Sequence, residues 1–399
     1  MKTLNMLIIV TLALFTSCVE KNIQMNTTLR EDGTCKRELW FKTDSASLVN
    51  PTEAHETFVQ GVLDDEAWSK TWIMNSESEE KSYPMTVADY EAIQAALEPV
   101  NGVRKSTSDT VKIHAQREFT SVGEMAQALP LFLNGEQVKS TAKLEKKFRW
   151  FYTDYVYTER FEGYDAKFEL PLSRYMTDEA TSYWLTGTPN LMQGKSGMEM
   201  KEYQDKMENQ FYQFINDNML NDLMKVLADN YELIENAPVS REEFMNKRDS
   251  ILAFSIFLNK MPDNEYQFKP EEILKKYFNT DVYKDAVELN QELNHQWDKR
   301  SGVYTQLVMF SVDYQLTMPG GIININECQN CLMVNGELHA TLDGMRLLMP
   351  EYTIQASSSV KNDWALILTV LIILLAIVLC SMRLWKLRFC GSRKEDIIA

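Results

Sequence analysis

The chain has 399 residues, of which 45% are hydrophobic and 11% aromatic, and its formal net charge is -16 at neutral pH. This composition predicts a body that can bury a core and fold. The acidic charge disfavours binding to nucleic-acid phosphates, so we predict no nucleic-acid partner. Solubility is the simplest explanation of the charge.

Residues 1–17 have the pattern of a secretory signal. Lys2 precedes an apolar stretch over residues 4–15, and two small residues stand directly before Cys18. The stretch is too short to span a bilayer stably. The small residues and the cysteine resemble the lipobox of bacterial lipoproteins, in the loose form typical of Bacteroidetes. This resemblance implies that Cys18 is acylated and becomes the new N-terminus; ordinary signal cleavage that leaves a free thiol is the alternative.

Residues 18–177 are predicted to form the first, β-rich part of an exported domain. The sequence EDGT at 31–34, between flanks that alternate apolar and polar residues, predicts a β-hairpin over residues 22–43. Thr86, followed by Asp89 three residues later, predicts the start of a helix.

The most strand-prone segment is TAKLEKKFRWFYTDYVYTERF, residues 141–161. Its aromatic residues fall on both parities. This pattern predicts either a central strand covered on both faces or a strand that bends and changes partner. Before it, TVKIHAQREF predicts a strand and SVGEMAQALPLFL a short helix.

Residues 178–300 are predicted to be a helical insertion between two strand-rich blocks. Apolar residues recur there at spacings of three and four, as at Met207, Phe211 and Phe214, which indicates amphipathic helices. Stripes of this kind can also line a cofactor. Core packing explains them better, because no histidine or cysteine with ligand spacing interrupts them, and we predict no cofactor.

Residues 301–360 are predicted to form the second β-rich part, with strands resuming at Val303. QLVMFSVDYQLTMPGG, GIININ, GELHATL and YTIQAS show the alternation or the turn residues of successive strands. We expect the two strand blocks to form one mixed or antiparallel sheet. The predicted fold class is therefore α+β, with a membrane-proximal sheet domain and a distal helical insertion.

Residues 362–383 are predicted to be a transmembrane helix. WALILTVLIILLAIVLCSM carries no charge, and about twenty residues cover the hydrocarbon core of a bilayer. Basic residues crowd the tail, 384–399, so the positive-inside rule predicts a cytoplasmic tail and an exported domain. Together with an acylated Cys18, the helix predicts two anchors in one inner membrane and an ectodomain in the periplasm. Surface export is the less favoured alternative.

The chain resembles LppM-type envelope lipoproteins and uncharacterised lipoproteins of Bacteroidetes type. The shared features are the lipobox, an early hairpin with Asp-Gly at 32–33, the strand MPGGIININ with an Asn-Gly turn at 335–336, and one C-terminal apolar helix. KKFRWFYTDYVYTE is also similar to strands of the second group. The likeness covers residues 22–45 and 300–385. It implies a lipid-binding domain without enzymatic activity, and it assigns no binding residues.

Three cysteines of the predicted ectodomain offer chemistry. Cys328 and Cys331 form a C-x-x-C pair in ECQNCL, and Cys35 lies in the early hairpin. An oxidising compartment favours a local disulfide within the pair or a bridge from Cys35 to one of its members. A redox site needs a helix after the first thiol, whereas the following sequence predicts a hairpin. Zinc would need a fourth ligand, and only His339 is near in sequence.

No catalytic, cofactor-binding or metal-binding residues are predicted. The sequence lacks the G-x-S-x-G, P-loop and G-x-G-x-x-G motifs, and its four histidines have no ligand spacing. A doubly anchored lipoprotein whose ectodomain binds a lipid or an envelope protein is the leading hypothesis. A thiol oxidoreductase using Cys328 and Cys331, and an envelope sensor or scaffold, are the alternatives.

Overall fold

The computed structural model describes residues 23–49, 58–74, 80–100, 109–259, 268–325 and 331–392. This part of the chain has an α+β fold. The strands are β1 (Ile23–Leu29), β2 (Cys35–Asp44), β3 (Ser69–Met74), β4 (Lys81–Ser82), β5 (Thr110–Phe119), β6 (Phe132–Leu133), β7 (Glu136–Gln137), β8 (Ser140–Arg149), β9 (Tyr152–Glu162), β10 (Ser311–Thr317), β11 (Ile322–Ile325), β12 (Leu332–Val334), β13 (Glu337–Asp343) and β14 (Glu351–Lys361).

The helices fall into three groups: short helices among the first strands, a continuous helical segment, and one apolar helix after the last strand. They are α1 (Ala46–Val49), α2 (Gln60–Asp64), α3 (Val87–Leu97), α4 (Val122–Gln127), α5 (Asp178–Thr186), α6 (Gly197–Asp229), α7 (Arg241–Asn246), α8 (Arg248–Asn259), α9 (Pro270–Phe278), α10 (Val282–Leu289), α11 (Gln291–Met309) and α12 (Asp363–Ser392).

Strands from both halves of the chain combine, as predicted, but they form two sheets rather than one, and β6 and β7 pair separately as a third, two-stranded sheet. The larger is a mixed sheet of order β12-β13-β10-β1-β2-β5-β3-β4, in which β1 and β10 are parallel. The smaller is antiparallel, of order β11-β14-β9-β8. Each of these two sheets thus needs strands from before and after the helical segment, which makes that segment an insertion into one β-rich body.

Two local predictions are confirmed. Strands β1 and β2 form the expected hairpin, and Gly33 in its turn has φ +98°, a conformation that glycine adopts without steric cost. The side chain of Thr86 caps α3 by accepting a hydrogen bond from the backbone N–H of Asp89.

The prediction of one strand over residues 141–161 is wrong. The segment forms two paired strands, β8 and β9, joined by a tight turn at Trp150 and Phe151. The both-parity aromatic pattern arises because residues around this turn are exposed, while β9 buries alternate residues such as Tyr155 and Tyr157.

The predicted boundary at residue 300 is also wrong, because α11 continues to Met309 and strand β10 starts at Ser311. Leu293, Trp297, Tyr304 and Leu307 are the buried residues of α11. Their spacings of four, seven and three keep them on one face of a helix, so the helical period persists past Val303.

One core fills the space between the two sheets, and two further clusters lie within the helical segment. A charged pair lies at the centre of the first core. The guanidinium of Arg37 on β2 donates to the carboxylate of Glu159 on β9 at 2.9 Å, and both side chains are fully buried. The hydroxyls of Tyr157 and Tyr314 also donate to Glu159, each at 2.8 Å, so the large and small sheets are joined by polar as well as apolar contacts.

Candidate functional site

The apolar helix α12 is exposed along most of its length. Its stretch Asp363–Trp385 is long and apolar enough to cross a membrane, on length and composition alone. Large side chains such as Ile372 and Leu375 are 53% and 59% exposed. A core helix of a soluble protein would be covered on these faces, so α12 requires an apolar environment that the described chain does not supply.

Four exposed aromatic residues surround the turn between β8 and β9. Phe148, Trp150, Phe151 and Tyr152 are between 39% and 57% exposed, and we call them the aromatic tip. Phe148 is the next-to-last residue of β8 and Tyr152 the first of β9. Uncovered aromatic residues that are consecutive or nearly so are unusual on a surface facing water, and they are typical of surfaces that meet a partner or a lipid interface.

The aromatic tip packs beside the first two turns of α12. The indole N–H of Trp150 donates a hydrogen bond to the hydroxyl oxygen of Thr369 at 2.7 Å. The ring of Trp364 lies between two rings of the tip. Its centroid is 5.8 Å from that of Trp150 and 6.1 Å from that of Phe148, and the second pair is stacked. The indole of Trp150 therefore reaches a residue that lies about 9 Å along the helix axis from Asp363.

Asn362 fixes the junction between β14 and α12. Its backbone N–H donates to the carbonyl of Phe151 at 2.9 Å, and its side-chain amide donates to the carbonyl of Arg149 at 2.8 Å. Its side-chain oxygen accepts from the hydroxyl of Thr153 at 3.0 Å. Only 8% of Asn362 is exposed. Strand β14 thus continues into the helix through one hydrogen-bonded residue.

Charged residues flank the aromatic tip. Arg149 pairs with Asp154 at 2.6 Å, and the hydroxyl of Ser359 donates to the same carboxylate at 2.9 Å. The hydrogen bonds from Ser359 and Arg149 hold the pKa of Asp154 below its usual range. The carboxylate of Asp154 therefore stays ionised at neutral pH beside rings that carry no charge. The order of these features, from the apolar helix to the aromatic tip and then to the charged residues, matches the change of polarity at a bilayer surface.

The predicted site residues lie in different places. Cys18 and Cys328 fall outside the described residues. Cys331 is disulfide-bonded and directly precedes β12, a strand rather than a helix. Cys35 is a free, buried thiol, so the alternative in which it bridges to the C-x-x-C pair is not found. Burial raises the pKa of Cys35 to about 11, which makes it a poor nucleophile at neutral pH.

The remaining polar groups that the structure describes line two clefts and form no metal site. Among the described residues, no three histidines, cysteines or carboxylates lie close enough to hold a metal ion. A cleft of about 320 Å³ in the helical segment includes Arg174 and Lys206 in its lining, and one of about 400 Å³ on the large sheet includes Asp313 and His339. Both are open and lined in part by polar groups, unlike the deep apolar pocket that would hold a lipid chain.

Sequence reasoning missed the aromatic tip, although its signal was present. FRWFY holds four aromatic residues within five positions, and this density favours a strand when the sequence alone is considered. A turn was not predicted there because the segment 148–152 contains no glycine, proline, asparagine or aspartate.

No family model, no curated protein and no solved structure matches this chain.

Proposed function

We propose that the protein is a membrane-anchored bacterial envelope lipoprotein whose ectodomain binds a partner rather than catalysing a reaction. In this proposal α12 crosses the inner membrane, residues 384–399 lie in the cytoplasm and the β-rich body lies in the periplasm. The observation that carries the proposal is the aromatic tip packed against the start of the exposed apolar helix.

The amphipathic character of tryptophan and tyrosine supports a bilayer surface at the level of the aromatic tip. Tryptophan and tyrosine favour the interface because their rings are apolar and their N–H or O–H groups are polar. Trp364 and the aromatic tip share one level along α12, while Trp385 lies 21 residues further on. At 1.5 Å per residue these levels are about 32 Å apart, close to the thickness of the hydrocarbon core.

The partner that we favour is another envelope protein, bound through the helical segment. That segment lies outside both sheets and exposes large apolar side chains, among them Met198, Phe257 and Leu289. Lipid binding by the ectodomain, which the LppM-type resemblance implies, is the second candidate. It has less support, because both described clefts are open and partly polar. Recovery of a co-purifying protein rather than a lipid from mild detergent extracts would decide between them.

Orientation is tested by thiol labelling in spheroplasts with a reagent that does not cross membranes. Glu232→Cys, on an exposed turn of the helical segment, should be labelled in intact spheroplasts. Glu395→Cys in the tail should be labelled only after lysis. Labelling of the tail position alone in intact cells would show that the orientation is inverted.

The position of the tip is tested by fluorescence quenching with brominated lipids in vesicles that contain the full chain. Trp150→Phe should remove part of the quenchable emission, because its ring lies at the proposed lipid surface. Trp68→Phe is the matched control, since Trp68 is 2% exposed within the β-rich core. Equal quenching in the wild type and the Trp150→Phe variant would contradict the proposed position.

A further inference from the structure

The cleft of about 320 Å³ in the helical segment lies between α6 and the residues that lead into α5. Residues 173–177 form one wall. Tyr203, Lys206, Met207 and Gln210 form the other, and their spacings of three, one and three keep them on one side of α6. The volume is at the lower end of the range found for small-molecule sites. The cleft therefore suits a small molecule.

The apolar part of the lining is firmly packed. Met176 and Met207 are 3% and 1% exposed, and both belong to a hydrophobic cluster shared by α5 and α6. The hydroxyl of Tyr175 donates to the carboxylate of Asp217 at 2.8 Å, and Asp217 is itself 4% exposed. A ligand would meet walls that are already in place, which reduces the entropic cost of binding.

Two cations line the cleft, and no carboxylate lines it. Among the described residues, neither Arg174 nor Lys206 forms an ion pair. Other cations of the helical segment do: Lys284 and Arg300 each lie 2.7 Å from a carboxylate oxygen. The whole chain has 57 acidic and 41 basic residues, so a cleft lined by positive charge alone departs from the overall balance.

Neighbouring charges keep this asymmetry. A third cation, Lys195, contacts the wall of the cleft, because its Nζ lies 5.0 Å from the ring centroid of Tyr203. Asp178, Glu179 and Asp205 are next to lining residues in the chain or follow them closely, but they are not part of the lining. The charge that a bound molecule would meet is therefore positive.

We infer that this cleft binds a small organic anion. Its carboxylate or phosphate group contacts Arg174 and Lys206, since a guanidinium offers a planar fork of N–H donors to either group and an ammonium adds a compact charge. Its apolar part contacts Met176, Met207 and the ring of Tyr203. This binding role goes beyond the proposed function, and it does not depend on whether α12 spans a membrane.

Fluorine NMR of small aromatic probes tests the inference with the full chain in detergent. The anionic probes are 4-fluorobenzoate and 4-fluorophenyl phosphate, and 4-fluorobenzyl alcohol is the neutral probe. Each spectrum is compared with that of the same detergent without protein. At least one anion should show saturable line broadening that the neutral probe does not show, and the stronger of the two anions identifies the group that the cleft prefers. No broadening of either anion, or equal broadening of the neutral probe, would overturn the inference.

A pair of double variants locates the binding. Arg174→Gln with Lys206→Gln should weaken anion binding about a hundredfold, because each charge-assisted hydrogen bond accounts for roughly tenfold in affinity. Both side chains are exposed and form no ion pair, so the fold should be retained, as circular dichroism would show. Lys201→Gln with Lys299→Gln is the matched control, since it removes the same charge from exposed positions of the helical segment outside the cleft. Full binding by the first variant, or an equal loss in the control, would overturn the assignment.

Discussion

The buried pair between Arg37 and Glu159 makes the sharpest prediction about stability. Both side chains are fully buried, and the carboxylate accepts hydrogen bonds from the guanidinium and from two tyrosine hydroxyls. Glu159→Gln keeps the shape of the side chain and one acceptor oxygen, but it leaves the charge of Arg37 buried without a counterion. Removing one partner of such a pair costs about 3–5 kcal/mol of folding free energy.

The assay is urea unfolding of the full chain in detergent, followed by tryptophan fluorescence. The midpoint should fall while the slope with denaturant stays the same, because the surface exposed on unfolding is unchanged. Glu118→Gln is the matched control: Glu118 on β5 pairs with Arg30 in the β1–β2 turn, but both side chains are about half exposed. Its midpoint should stay close to that of the wild type, since exposed pairs are screened by solvent.

A double variant separates lost charge from lost packing. Arg37→Met with Glu159→Gln contains no buried charge, so it should be less destabilised than the sum of the single variants, by about 1–3 kcal/mol. Additive losses, or a Glu159→Gln variant as stable as the control, would refute the assignment of this pair as the charge-coupled join between the sheets.

Further predictions concern other buried groups. The thiol of Cys35 is fully buried and its pKa is raised to about 11, so it should resist maleimide in the folded chain and react once urea unfolds it. Mass spectrometry measures the modification. A reaction in the folded chain as fast as that of an exposed cysteine would contradict this prediction. Burial raises the pKa of Asp217, so the folded state binds its proton more tightly than the unfolded state does, and stability should fall as pH rises from the ordinary aspartate range through the raised value. Asp217→Asn should flatten that part of the pH–stability curve, and an unchanged slope would contradict it. Asn218 holds both the N–H and the carbonyl of Leu170, at 3.0 and 2.9 Å, so Asn218→Ala should cost about 1–3 kcal/mol and increase hydrogen exchange around residue 170, while exchange in β2 stays unchanged.

Local signals in the sequence were sufficient for elements whose cause is local. The β1–β2 hairpin follows from a glycine that must adopt positive φ, and α3 follows from the threonine that caps it. The apolar helix follows from composition alone. In each case the residues that determine the structure are neighbours in the chain, so no knowledge of the fold was needed.

Features set by distant contacts were not predicted. The β8–β9 turn has no turn-forming residue, and Trp150 and Phe151 are accommodated there because α12 lies alongside, more than two hundred residues later. The contact that joins the two sheets pairs Glu159 with Arg37, 122 residues away in the chain. Strand alternation cannot reveal these partners, since it reports only which face of a strand is buried.

The candidate site likewise combines one feature set by neighbouring residues with others set by distant contacts. Trp364 could be assigned to an interface because it lies at the end of an apolar run, whereas the aromatic tip becomes a site only when β8 and β9 end beside that run. The large sheet likewise depends on the parallel pairing of β1 with β10, which joins residues nearly three hundred positions apart.

The single-residue junction at Asn362 also couples the inclination of the β-rich body to that of α12. With no linker between β14 and α12, a change in the inclination of the helix is passed directly to the strands above it. In the proposed membrane-spanning arrangement, α12 would tilt in thinner or thicker bilayers as other helices do, and the tilt would pass to β14. The distance from a spin label on the β-rich body to the lipid phosphates, measured in lipids of different chain length, would show this change of inclination, and a Gly-Ser spacer after Asn362 should abolish it.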